Sequence, residues 1–369
     1  MLPMLIYTNS KKVLFYVQNG KLYSKEKFSQ PKQITDSEII SFDGVCSKTG
    51  EIHIAASTKD SSVLYIRCTD KETITETLMV SRGHTDAIKK INIFEISGRV
   101  SVIYTLEYDE KTMLVYQAYD GSKSYSPEVI DCIKNAGAFC SAADIDGNIH
   151  IIYSNDEEVN KYKIYKWSQK AFEDSECGIT DEFLKISAVF DDNDMHIVYT
   201  TDSGNYVILC YTDDLKKEEQ KIGFGMRRDT LVSVWAYNKK ANALWVEGKT
   251  VYSCHSDMGS QFTTPMQSVV LGRNKIWCRI RSALNPHKLY FDCAAADIET
   301  FSAINMPQAE TVRPEQVKAY ADGERVAQYS KQQMLSALGS GELLKRLDAI
   351  ELRLDGLMDC LSAFLNREE

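Results

Sequence analysis

An all-β repeat fold followed by a helical C-terminal segment is what this 369-residue sequence predicts, on three observations. A short phrase recurs at a period of about 45 to 49 residues, the range in which repeats build closed or stacked β architectures. Its forms are Gly50-Glu51-Ile52-His53-Ile54, Gly98-Arg99-Val100-Ser101-Val102, Gly147-Asn148-Ile149-His150-Ile151 and Asn193-Asp194-Met195-His196-Ile197. Helical periodicity is nearly absent before residue 305, which excludes a helical solenoid of similar period. Beyond that point leucines alternate at spacings of four and three, the mark of a coiled coil.

Each copy of the phrase opens on a turn residue and runs into an apolar, β-branched stretch, so each reads as a tight turn feeding a buried strand. Following the period along the chain gives seven units. The first uses residues 5–7, 13–17, 21–24 and 32–35, with Asn19-Gly20 as a hairpin turn of the primed type. The others span residues 39–80, 88–130, 136–179, 183–222, 231–269 and 275–304. In the last two, Ala243-Leu244-Trp245-Val246 and Lys288-Leu289-Tyr290-Phe291 take the place of the phrase, which aligns Trp245 and Tyr290 with His53, Ser101, His150 and His196. A third, aromatic strand follows in each unit, as in Val63-Leu64-Tyr65-Ile66 and Tyr162-Lys163-Ile164-Tyr165, and then a Thr- or Ser-rich edge. Four strands per unit at this period predict a seven-bladed β-propeller of four-stranded antiparallel blades over residues 1–305. On these phrases the chain resembles β-propeller repeat proteins in general. The Trp-Asp and Gly-His signatures of WD40 blades and the S-x-D-x-G-x-x-W box of sialidase-like blades are missing, so no family's functional residues carry over.

Residues 306–340 read as a neck. Pro307 and Pro314 bracket its start, and Asp322-Gly323 leaves hairpin and helix both open. After Gly339-Ser340-Gly341, residues 341–369 predict an α-helical coiled coil whose a and d positions are Leu343, Leu347, Ile350, Leu354, Leu357, Leu361 and Phe364. Arg346 and Glu351 fall at g and e, where they would meet across parallel helices, and Leu344, Met358 and Leu365 widen the stripe. The expectation is a homo-oligomer, with a trimer or tetramer favoured.

A net charge of −9 disfavours phosphate backbones and anionic membranes as partners. No apolar run is long enough to span a bilayer, and Met1-Leu2-Pro3-Met4-Leu5-Ile6-Tyr7 lacks a basic leader, so a cytoplasmic protein, free or within a larger particle, is expected. The ten cysteines include no C-x-x-C pair and no metal-ligand spacing, and Cys46, Cys140, Cys210, Cys278 and Cys293 sit in apolar strands as buried thiols. Neither a metal nor a cofactor is expected.

Three constellations are candidates for a site. The repeated histidines invite a catalytic or metal reading, but on an inner strand they would lie in separate seams between blades, each hydrogen-bonded to a loop or backbone group. The acidic turns Asp144-Ile145-Asp146-Gly147-Asn148 and Asp191-Asp192-Asn193-Asp194 offer oxygens to calcium, yet Asp, Asn and Gly are also what tight turns require. On Lys275-Ile276-Trp277-Cys278-Arg279-Ile280-Arg281, strand alternation puts Lys275, Trp277, Arg279 and Arg281 on one face. As the innermost strand of the last blade, it would meet Lys90 (or Lys89) and Lys185 at an axial channel, a ring of cations suited to a carboxylate or phosphate. The competing reading has the arginines lying across the seams and pairing with acids.

No nucleophile elbow, P-loop, dinucleotide fingerprint or H-E-x-x-H is present. The function read from the sequence is therefore non-enzymatic: a binding or structural protein that displays several recognition heads for a glycan or protein ligand. The alternative is a propeller glycoside hydrolase or lyase whose carboxylates converge from separate blades.

Overall fold

The computed structural model describes residues 1–304, apart from 82–84, 192–193, 205, 214, 216–218, 226–229, 238–239, 258–260 and 283–288. The chain divides into two units, Met1–Met306 and Pro307–Glu369. The neck and the heptad positions Leu343 to Phe364 lie outside the described residues.

The first unit is all-β and propeller-like, and four of its sheets among the described residues are four-stranded and antiparallel with strands in chain order. Alternation explains their formation: in Ile52–Thr58 and Ile149–Ser154 every residue is buried, because each face of the strand packs on a different neighbouring sheet. Asn19 and Gly20 both hold positive φ, 50° and 74°, as the primed hairpin turn requires.

Among the described residues six sheets form where the repeat predicts seven blades. We number them by their inner strands: sheet 1 contains both Met4–Tyr7 and Lys275–Ser282, sheet 2 Ile39–Cys46, sheet 3 Ile88–Ile96, sheet 4 Phe139–Ala143, sheet 5 Phe183–Asp191 and sheet 6 Leu231–Tyr237. The first and seventh units fuse because their inner strands pair in parallel, from Met4 opposite Arg279 to Tyr7 opposite Ser282. Each of these units ends in an outer strand of only two residues, Lys32–Gln33 and Ser302–Ala303. Joining them satisfies the backbone groups of two otherwise open edges.

Among the described residues, each hydrophobic cluster draws on two adjacent sheets. Clusters join sheets 1 and 2, 2 and 3, 3 and 4, 4 and 5, 5 and 6, and 6 and 1, so the sheets close into a ring. Tyr104, Tyr153 and Tyr199 are the largest side chains buried completely within these seams.

Two alignments made on the sequence shift. Leu289–Phe291 pairs antiparallel with Leu231–Tyr237 in sheet 6, and Cys293–Asp297 is the strand that follows Lys275–Ser282 instead. Ala294, Ala295 and Ala296 are 1% to 4% exposed there, small enough to fill a narrow seam beside Trp277. In sheet 6 the third residue pair from the hairpin is Trp235 and Asn242, the place held by His196 opposite Val189 in sheet 5. Trp245, three residues on, therefore belongs with Tyr104, Tyr153 and Tyr199 rather than with the histidines. Its resemblance to the phrase was one of hydropathy, and register is set by the hairpin.

Candidate functional site: the axial cavity

The inner strands of sheets 2 to 6 and Lys275–Ser282 of sheet 1 enclose a cavity of about 510 Å³. Lys90, Lys185, Trp277, Arg279 and Arg281, singled out from the sequence, all line it, together with Asp43 and Asp292. Four cations and two carboxylates thus face one space in a protein whose net charge is −9.

The arginines are committed to closing the ring. Arg279 Nη1 donates to the Phe42 carbonyl at 2.6 Å and lies 3.3 Å from Asp43 Oδ1, while Arg281 Nη2 lies 3.2 Å from the same oxygen. The other Asp43 oxygen accepts the Ile93 N–H at 3.3 Å, so one buried carboxylate ties sheets 1, 2 and 3 together. Arg281 also donates to the Asp292 carbonyl at 3.0 Å. The Asp292 carboxylate accepts from Ser187 Oγ at 3.2 Å, and that hydroxyl in turn accepts the Val234 N–H, which extends the network to sheets 5 and 6. Here the sequence reading of arginines across seams holds, while both side chains still border the cavity.

The lysines are less engaged. Lys90 Nζ donates to the Phe139 carbonyl at 2.5 Å and sits 4.2 Å from the centre of the Phe139 ring. Burial, helped by Arg279 and Lys185, lowers its pKa to about 8, so it is mostly charged at neutral pH. The Lys185 ammonium has no hydrogen-bond or ion-pair partner among the described residues. Trp277 is 6% exposed and packs mainly in the seam with sheet 6, so it forms a wall of the cavity. Cys140, also on the wall, has its thiol pushed up to about 12 by burial and stays protonated.

The repeated histidines lie in three different seams. Each places Nδ1 against a tyrosine hydroxyl on the third strand: His53 with Tyr65 at 2.7 Å, His150 with Tyr162 at 2.5 Å and His196 with Tyr211 at 2.7 Å. Ser101 makes the same bond to Tyr116 at 3.2 Å. The partner is thus a side chain two residues before the cross-strand neighbour, where a loop or backbone group was anticipated. Burial lowers the pKa of all three histidines. In the acidic turn, Asp144 accepts from the backbone and side-chain amides of Asn148 at 2.8 Å each and contacts His150 Nε2 at 3.0 Å, which is turn-holding chemistry. Asp192 and Asn193 of the second turn lie outside the described residues. Among the described residues no group of three metal-ligating side chains converges, and no helix is long and apolar enough to cross a membrane.

Asp43 and Asp292 were missed in the sequence. The one signal was Asp43 itself, a lone acid in the apolar strand Ile39–Cys46.

No protein-family model and no curated protein matches the chain. Among solved structures, it is similar to the six-bladed β-propeller lectin of Aleuria aurantia, with 10% identity, 73% of this chain and 94% of that chain covered, and a TM-score of 0.47. AofleA from Arthrobotrys oligospora gives 11% identity, 71% and 82% coverage and a TM-score of 0.45. A chain of a nidogen/laminin complex gives 12% identity, 69% and 92% coverage and a TM-score of 0.40.

Proposed function

We propose that the protein is a non-enzymatic recognition module whose axial cavity takes a small organic anion, such as the carboxylate-bearing sugar at the end of a glycan. The observation that carries this reading is Lys185, an ammonium group without a partner among the described residues, at the wall of a cavity that holds more cations than carboxylates. A space of about 510 Å³ suits one sugar-sized ligand and is too small for a protein surface. Phe94, Phe190 and Trp277 supply apolar wall for the ligand's carbon skeleton, and Lys90 and Lys185 meet its charge. The glycosidase alternative needs two carboxylates free to exchange protons across a sugar bond. Asp43 and Asp292, which face the cavity, are each engaged by arginine and by a further hydrogen bond.

The C-terminal heptads extend this reading: several heads joined by a helical bundle would bind multivalent ligands by effective concentration even if each site were weak.

Calorimetry of the full chain with glucuronate, N-acetylneuraminate and their neutral counterparts tests the reading. Binding of an acidic sugar, weakened about tenfold by Lys185→Gln through loss of one charge-assisted hydrogen bond, is the expected result. Affinity should also fall as pH rises through about 8, where Lys90 loses its proton. Equal binding of neutral and acidic sugars, or none, would remove the anion assignment.

A further inference from the structure

The turn of residues 26–29 joins two strands of sheet 1, Lys21–Glu26 and Lys32–Gln33, and carries a side chain that neither core nor turn requires. Phe28 is 95% exposed, the most of any large hydrophobic among the described residues, where Phe224 at 62% comes next. It also holds a φ of 68°, in the left-handed region that bulky side chains avoid. The turn is closed by the Ser29 N–H on the Glu26 carbonyl at 3.2 Å. Ser29 Oγ accepts the Glu26 N–H at 3.1 Å and donates to the same carbonyl at 3.0 Å. Glycine or asparagine suits the third position of a turn with positive φ, so phenylalanine there strains the backbone and buries no surface. Exposure and strain together point to a contact outside the chain.

The charge around Phe28 departs from that of the whole molecule. Residues 11–35 contain six lysines, Lys11, Lys12, Lys21, Lys25, Lys27 and Lys32, and one acid, Glu26, in a chain of net charge −9. Lys11 holds Glu26 at 2.7 Å and Asp70 at 3.0 Å, and Lys21 donates to the Asp36 carbonyl. Lys12, Lys25, Lys27 and Lys32 make no ion pair among the described residues. Lys25 stands opposite Leu14, two residues from Lys12, so these two share a face. Lys27 is close enough to act on Lys12, and its Nζ lies 4.9 Å from the centre of the Phe28 ring. Lys32 comes from the returning strand, opposite Ser24. An apolar tip is therefore bordered by cations from three strands and the turn itself.

The chemistry of this tip selects among partners. One aromatic side chain is too little apolar area for the centre of a stable protein interface, which buries about 800 Å² on each side. A nucleic-acid strand needs aromatic platforms open to its bases, and Tyr16 and Tyr23 of the same sheet are already stacked on each other with ring centres 5.8 Å apart. An anionic bilayer surface needs neither, because it offers hydrocarbon just beneath negative headgroups. A single protruding ring enters that layer while flanking ammonium groups stay among the headgroups. Attraction fades beyond a Debye length of about 8 Å, so the lysines beside Phe28 count and acids elsewhere on the molecule are screened. The net charge of −9 disfavours such a surface only as a sum over the whole chain. We propose that this turn is a membrane-contact site, with Phe28 entering the interface of an anionic phospholipid surface and Lys12, Lys25, Lys27 and Lys32 on its headgroups. One ring and four lysines make a reversible, salt-sensitive attachment, and the site is independent of the axial cavity.

The test is flotation of the full chain with phosphatidylcholine vesicles, with and without phosphatidylserine. Binding to the anionic vesicles alone, weakened by added salt, is the expected result. Phe28→Gly should weaken it about tenfold through loss of the buried ring. The same substitution should leave the melting temperature unchanged or raise it, because glycine relaxes the turn, and this separates contact from folding. Lys25→Gln and Lys27→Gln should each weaken binding about fivefold. Absence of binding to the phosphatidylserine vesicles, or binding that Phe28→Gly leaves within about twofold, would overturn the proposal. Binding of a polyuridylate strand without vesicle binding would assign the same patch to nucleic acid and overturn it too.

Discussion

Asp43 is the residue on which the axial network depends most. It is 2% exposed and faces two guanidinium groups from sheet 1 and a backbone N–H from sheet 3. Removing one member of such a buried set leaves the rest desolvated and unpaired, so Asp43→Ala should cost about 3 to 5 kcal/mol in denaturant unfolding. Asp43→Asn, which keeps an acceptor but not the charge, should cost less. If Asp43→Ala unfolded at the wild-type denaturant midpoint, the carboxylate would not be closing the ring. Lys185 stands at the other extreme, since its ammonium has no hydrogen-bond or ion-pair partner among the described residues. Sequence alternation puts Trp277, Arg279 and Arg281 on one face of their strand, and in the structure they line the axial cavity together with Lys90 and Lys185. It could not distinguish occupied cations from a free one, since the acid shared by both arginines, Asp43, lies more than two hundred residues away along the chain.

At the scale of the element, the third residue pair from each hairpin is a small bridging station between neighbouring strands. His53, His150 and His196 bond a tyrosine there, and Ser101 does the same with a shorter side chain. Burial is the largest effect on all three histidines and lowers their pKa below the ordinary 6.5, although Asp144 partly offsets it at His150. Between the lowered folded value and 6.5 the unfolded chain binds protons that the folded chain refuses. The stability these residues contribute is thus complete above about pH 6.5 and declines as pH falls below it. Melting temperature should therefore drop between pH 7 and 5.5, and the triple replacement of His53, His150 and His196 by serine should flatten that slope. A slope unchanged in the triple variant would assign the pH dependence to carboxylates. The turn-plus-strand phrase made these stations visible, because turn residues and β-branched runs are local signals. Trp245 was misplaced for the complementary reason: in a degenerate copy hydropathy alone does not mark the hairpin from which register is counted.

For the whole molecule, the repeat revealed the strands and their order but overcounted the sheets. Seven units are present in the sequence, and parallel pairing of Met4–Tyr7 with Lys275–Ser282 turns two of them into one. Edge pairing between segments so far apart leaves no periodic trace, whereas closure by six shared cores follows once it has occurred. The heptads of residues 341–369 bear on assembly instead. Sedimentation equilibrium of the full chain should give a trimeric or tetrameric mass, and a chain ending at Ser340 should give a monomer. Identical monomeric masses for the two would refute self-association through this segment.

The parallel pairing also fixes the order in which a ribosome can complete this molecule. The strand Met4–Tyr7 has its inner neighbour Lys275–Ser282 encoded some 270 residues later, so at about 5 to 20 residues per second it waits on the order of tens of seconds. During that interval the nascent chain can form its hairpins and pack consecutive sheets, but the ring stays open with an unpaired leading edge. Completion is therefore a single late event of very long sequence separation, the kind of contact that slows folding most. A chaperone that shields the first few residues would act on the one step that converts a curved stack of sheets into a closed ring.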